Sequence, residues 1–164
     1  AGQDYSMFHM EWVHVVERAH NYTLPAIQHS QTASWDGRVS MLGYDFDARQ
    51  HSPGDSAHLV LHWQGLAVTN TAYKFFVHVV DAQGKIWTQH DSVPGEGAMP
   101  TTAWLPHEVV NDEFDLTLPA DMPAGEYEIQ VGFYNPADGV RLETAGASSN
   151  ADYITLDQKI EVVQ

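Results

Sequence analysis

The chain has 164 residues, with twenty-two acidic against seven basic side chains, a formal net charge of −15, and no cysteine. Such a length suits one domain, and such a charge repels nucleic acid and anionic membrane surfaces. The lack of cysteine excludes a disulfide framework, a thiolate metal site and a thiol nucleophile.

Residues 1–34 differ from the rest of the chain and read as an N-terminal arm and linker ahead of a domain at 35–164. Positions 5–20 are apolar, aromatic and histidine-rich. As a strand they place Phe8, Met10, Trp12, His14 and Val16 on one face; as a helix they align Phe8, Trp12, Val15 and Ala19. A strand there would satisfy an open sheet edge, of its own domain or of a neighbour. Residues 1–20 are therefore the candidate contact of a homo-oligomer or of a protein neighbour. Positions 21–34 are polar, contain Pro25, and begin with Asn21, Tyr22 and Thr23, a glycosylation sequon in form.

From Trp35 onward strand signals come at short intervals. Residues 38–46 form one strand, ended by Pro53, Gly54 and Asp55. Residues 57–63 form the next, with Leu59, Leu61 and Trp63 on one face and His58, Val60 and His62 on the other. Residues 73–91 read as a hairpin turning through Asp81, Ala82, Gln83 and Gly84. Its first strand is apolar on both faces, Phe75, Val77 and Val79 against Phe76, His78 and Val80, which predicts a central, doubly covered position. A long Pro- and Gly-rich loop occupies 92–107. Strands at 108–118 and 126–134 alternate apolar and polar, and shorter ones come at 140–143 and 153–163. About seven to nine strands with polar turns predict an all-β, immunoglobulin-like Greek-key β-sandwich. Asp121 to Gly125 form a tight turn just before Tyr127, the sequence form of a tyrosine corner, in which the hydroxyl bonds back to upstream backbone.

Several of these positions together resemble a known family. They are Leu42, Gly43 and Tyr44; Pro53, Gly54 and Asp55; Leu61 and Trp63; residues 75–81 with Gly84; Gln89, His90 and Asp91; Pro94, Gly97, Pro100, Thr101 and Trp104; Asp112; Gly125 and Tyr127; residues 131–134; and Arg141 with Leu142. Over residues 35–164 the chain is similar to the extracytoplasmic β-sandwich domain that follows the multi-helix region of bacterial membrane glycosyltransferases of the protein-mannosyltransferase type, also found in other envelope proteins. The resemblance implies an accessory domain that is secreted, at the cell surface or in the envelope. It supplies no catalytic residue, and the membrane catalytic region is absent from this chain.

The residues themselves point to binding rather than catalysis. No nucleophile elbow of the GxSxG form occurs and no carboxylate pair stands in a recognisable context, so the chain reads as not an enzyme. His58 and His62, four apart on a strand, lie about 13 Å apart and cannot share one ion without His78 or His90 from a neighbouring strand. Asp81, Asp91 and Asp112 could supply oxygens to a structural calcium ion; no other cofactor is expected. Asp91 and Asp112, flanking the long loop, are expected to accept its backbone N–H groups or to pair with Arg141, forming with Tyr127 a structural network. His62 and His78 read as hydrogen-bonded structural histidines between strand and loop. Trp87, Trp104 and Tyr134 are the candidate rings for stacking on a sugar. A glycan-binding accessory module is the first expectation, and an assembly subunit using the arm the second.

Overall fold

The structure, a computed structural model, describes residues 18–146 and 151–164. The alternative readings of positions 5–17 lie outside these residues. Among the described residues eleven strands run in order: β1 (Ala33–Trp35), β2 (Val39–Phe46), β3 (Gln50–His51), β4 (Ser56–Gly65), β5 (Lys74–Val80), β6 (Ile86–Ser92), β7 (Val109–Thr117), β8 (Gly125–Tyr134), β9 (Thr144–Gly146), β10 (Ile154–Thr155) and β11 (Ile160–Val162). A 3₁₀ turn at Thr101–Ala103 interrupts the long loop. The count exceeds the expected seven to nine because β3, β9, β10 and β11 are two- or three-residue pieces, too short to show a period of two. Among the described residues no helix is long and apolar enough to cross a membrane.

The strands form a β-sandwich. One sheet runs β7-β4-β2-β1-β9, the other β3-β11-β8-β5-β6, with β10 also paired to β8. Alternation decides which side chains meet between them. In β7, Val110, Asp112, Phe114 and Leu116 are buried while Asn111, Glu113, Asp115 and Thr117 are exposed. Tyr127, Ile129, Val131 and Phe133 of β8 join Phe75, Val77 and Val79 of β5 in the core. Trp35, Trp63 and Phe133 pack edge to face at its centre, with centroids 4.9–5.7 Å apart.

β5 lies between β8 and β6 and is buried on both faces, as its two apolar faces predict. The hairpin turn is held by Asp81, whose carboxylate accepts the Gln83 and Lys85 N–H groups, with Gly84 at φ 79°. At the start of β8, the Tyr127 hydroxyl donates to the Pro123 carbonyl at 2.7 Å, the geometry of a tyrosine corner.

The segment before β1, which its sequence marks as a linker, is bonded to the sandwich. Val109 donates to the Asn21 carbonyl, and His29 exchanges two backbone hydrogen bonds with Tyr44 of β2. A Cβ at Gly43 would collide with the His29 carbonyl and the Ile27 side chain, so the close approach of this segment to β2 requires glycine there. At its start, Arg18 and His20 both meet the fully buried Glu108 carboxylate. The position-34/35 boundary expected for the domain falls inside β1.

Candidate ligand-binding groove

The outer face of β5 carries what the core does not use. Phe76 and His78 point away from the core cluster and face outward across β6 and β8. Phe76 is paired with Gly132 of β8 and Asp91 of β6. Gly132 has a reason to lack a side chain: a Cβ would enter the Phe76 ring and approach the Asp152 carbonyl at 2.7 Å. The ring thus lies over bare backbone. Above it sits the Arg141 guanidinium, 4.3 Å from the ring centroid. Arg141 is placed by its bridge to Tyr134 and by an ion pair with Asp152 at 3.2 Å.

Phe76, His78, Asp91, Tyr134, Gly139 and Arg141 line an open groove of about 270 Å³. Gly139 belongs to the turn after β8, in which Asn135 and Asp138 side chains accept the Ala137 and Val140 N–H groups. Tyr134 is half-buried; burial, followed by the Asp91 carboxylate facing its hydroxyl, pushes the phenol pKa up. His78 packs beside Phe76 with centroids 4.6 Å apart. Burial, aided by Arg141 and opposed by Asp91, lowers the His78 pKa, so the imidazole is neutral at pH 7.

His78 is 8 % exposed, and its ring nitrogens, bonded by no other described residue, are not among the fully buried unpaired atoms, so they open onto the groove. The expectation of a hydrogen-bonded structural histidine holds for His62, whose two nitrogens meet Asn111 and Asp45 at 3.0 Å. It does not hold for His78, whose unpaired nitrogens belong to a lining residue of an open groove.

The three rings expected to stack on sugars are found in different surroundings. Tyr134 lines the groove. Trp104 is 2 % exposed and donates its indole N–H to the Met99 carbonyl, so it is a core residue with no face for a ligand. Its loop position suggested exposure, but the loop folds inward through Thr101, which bridges the Thr71 carbonyl and the Tyr73 N–H. Trp87 is half-buried: Lys85 Nζ lies 3.3 Å above its ring, Tyr127 meets it edge to face, and Asp81 takes its N–H. One face is therefore already covered.

The expected structural network divides into separate parts. Asp112, 4 % exposed, accepts the Trp63 indole N–H at 2.9 Å and the Gly95 N–H at 2.6 Å, pinning the long loop to the core. Burial pushes its pKa up to about 6. Asp91 and Arg141 do not join it; they lie in the outer groove. Tyr127 belongs to its own corner, beside Trp87. Asp81, Asp91 and Asp112 consequently sit in the hairpin turn, the groove and the core. Among the described residues no group of three or more His, Asp or Glu could hold a metal ion.

Phe76, His78 and Gly139 line the groove although the sequence does not mark them as candidate sugar contacts. The usable signal was a histidine on the outer face of a strand otherwise apolar on both sides.

No family model matches the chain, and no curated protein sequence matches it. Among solved structures it is similar to the C-terminal domain of Wzt, at 13 % identity and a TM-score of 0.55, over 87 % of this chain and 84 % of that one. It also aligns with the CARDB domain of the PF1109 protein from Pyrococcus furiosus, solved with di-metal ions, at 13 % identity and a TM-score of 0.42, over 89 % and 99 %. A third match is Spo0M, a sporulation control protein from Bacillus subtilis, at 16 % identity and 0.42, over 81 % and 50 %. The Wzt likeness supports the β-sandwich fold; the other two carry no further argument. None of the three links the chain to membrane mannosyltransferases.

Proposed function

We propose that this chain is a non-catalytic binding module that holds a glycan in the groove over Phe76 and His78, as an extracytoplasmic accessory domain. The observation that carries the reading is the His78 imidazole, mostly buried yet with ring nitrogens that no described residue bonds and that open onto the groove. A neutral imidazole offers one donor and one acceptor, which matches a sugar hydroxyl. Asp91 supplies carboxylate oxygens beside it, Tyr134 an aromatic body with a polar tip, and Arg141 a guanidinium fixed by Phe76 and Asp152. Most of these parts stand on sheet backbone rather than on loops, which suits a preorganised site. Binding to a glycan panel tests the reading, with His78→Ala and Tyr134→Ala expected to weaken any binding at least tenfold. No binding, or binding indifferent to both substitutions, refutes it.

A second reading, an assembly subunit that meets a neighbour through residues 1–20, is favoured by the Glu108 anchor. Three exposed apolar side chains belong to segments joined at that anchor: Tyr22 at 52 %, Leu66 at 37 % and Leu105 at 40 %. The joints are His20 beside Tyr22, the Gly65 N–H donating to the Glu108 carbonyl, and the Leu105 N–H donating to the Glu108 carboxylate. Removal of residues 1–17, which spares the anchor, is expected to lower the oligomeric state in this reading. An unchanged oligomeric state in light scattering removes it.

A further inference from the structure

We infer that the groove selects uncharged glycans against acidic ones, and that Asp91 is the residue that sets this selection. The inference rests on the glycan reading above and concerns which glycans that same site takes.

The charges that face the groove do not cancel. Arg141 is answered by Asp152 at 3.2 Å, so its positive charge is largely spent within the fold. His78 contributes none, because burial disfavours the imidazolium and the Arg141 guanidinium nearby adds to that effect. Asp91 is solvent-exposed, faces the neutral Tyr134 hydroxyl, and has no ion-pair partner among the described residues. One uncompensated carboxylate therefore looks into the site. Across a groove of about 270 Å³ a second carboxylate, sulfate or phosphate would come well within a Debye length of it, so salt does not remove the repulsion. The net charge of −15 acts in the same direction on approach.

The donor and acceptor inventory favours the same ligand. Asp91 accepts from two hydroxyls, His78 exchanges one donor and one acceptor, and the Arg141 N–H groups not used by Asp152 donate. A hydroxyl both donates and accepts and satisfies all three. An anionic group accepts only: it suits Arg141 and one tautomer of His78, and leaves Asp91 facing a like charge.

The test compares neutral gluco-, manno- and galacto-oligosaccharides with matched oligosaccharides in which one residue is the corresponding uronic acid, using the full chain at physiological salt. Wild type is expected to bind a neutral member at least tenfold more tightly than its uronic counterpart. Asp91→Asn keeps a carbonyl acceptor, lies on an exposed position, and is expected to reduce that ratio below threefold with an unchanged thermal midpoint. Equal or tighter binding of the uronic member by wild type overturns the selection while leaving the glycan reading intact. So does a ratio unchanged in Asp91→Asn. Binding of neither class overturns the glycan reading and this inference with it.

Discussion

At the scale of single residues, a few polar atoms buried among apolar ones carry distinct tasks. The Tyr127 hydroxyl at 2.7 Å from the Pro123 carbonyl closes the corner before β8. Tyr127→Phe is expected to cost about 1–1.5 kcal/mol, the net worth of one hydrogen bond plus an unmet carbonyl. Urea denaturation checks this, and an unchanged midpoint contradicts it. Asp112 behaves differently, since its folded pKa of about 6 stands above the usual carboxylate value of 3.8. A carboxyl raised on folding contributes stability that is full below its unfolded pKa and is lost as pH rises through the folded one. Between about pH 4 and pH 7 its contribution should therefore fall by roughly 2–3 kcal/mol. His78 and His90, both lowered by burial, act oppositely and lose stability as pH falls. The readout is the wild type minus Asp112→Asn difference across pH, where a flat difference contradicts the buried, titrating carboxylate. Residue roles were only partly legible in the sequence. The corner could be read from the turn composition around Gly125. The inward turn of Trp104 could not, because it depends on Thr101 reaching Thr71 and Tyr73 some thirty residues away.

At the scale of elements, alternation wrote most of the sandwich into the chain. β4, β5, β7 and β8 each show the pattern that their burial follows. The segment before β1 left no such trace, because polar side chains and main-chain groups rather than an apolar face hold it. Residues 21–34 have the composition of a polar linker, yet Asn21 and His29 are bonded to Val109 and Tyr44 through main-chain groups, which side-chain patterns do not report. The anchor at Glu108 joins residues far apart in sequence: burial raises its pKa, and hydrogen bonds from Arg18 and His20 outweigh that effect to lower it. Arg18→Ala leaves this carboxylate with His20 and the Leu105 N–H. A loss of about 1–3 kcal/mol is expected, discounted because Arg18 is partly exposed. An unchanged denaturation midpoint contradicts the anchor. In β8, Gly132→Ala inserts a methyl group where the Phe76 ring lies. It should cost about 1–3 kcal/mol and weaken groove binding by displacing Phe76 and the guanidinium stacked on it. Retained affinity for the panel's best ligand shows that the stack does not shape the site.

At the scale of the whole molecule, two sheets enclose an aromatic core and present one outer face with chemistry the core does not need. In the proposed reading the net charge of −15 disfavours anionic partners, and the long loop is pinned to the core through the Gly95 N–H and Asp112. The sequence suggested that Arg141 meets Asp91 or Asp112, but not that Asp91, Tyr134 and Arg141 line one groove with His78. Their meeting depends on the β5–β6 and β5–β8 registers and on the turn that carries Arg141 back over Phe76. The most direct test is a map of ligand-induced NMR shifts, recorded on the full chain with the best neutral oligosaccharide of the panel. The largest shifts should fall on the His78 imidazole and on Tyr134, Gly139 and Arg141. Shifts centred on Trp87 and the hairpin turn, or none at the His78 ring, would contradict a glycan seated over Phe76 and His78.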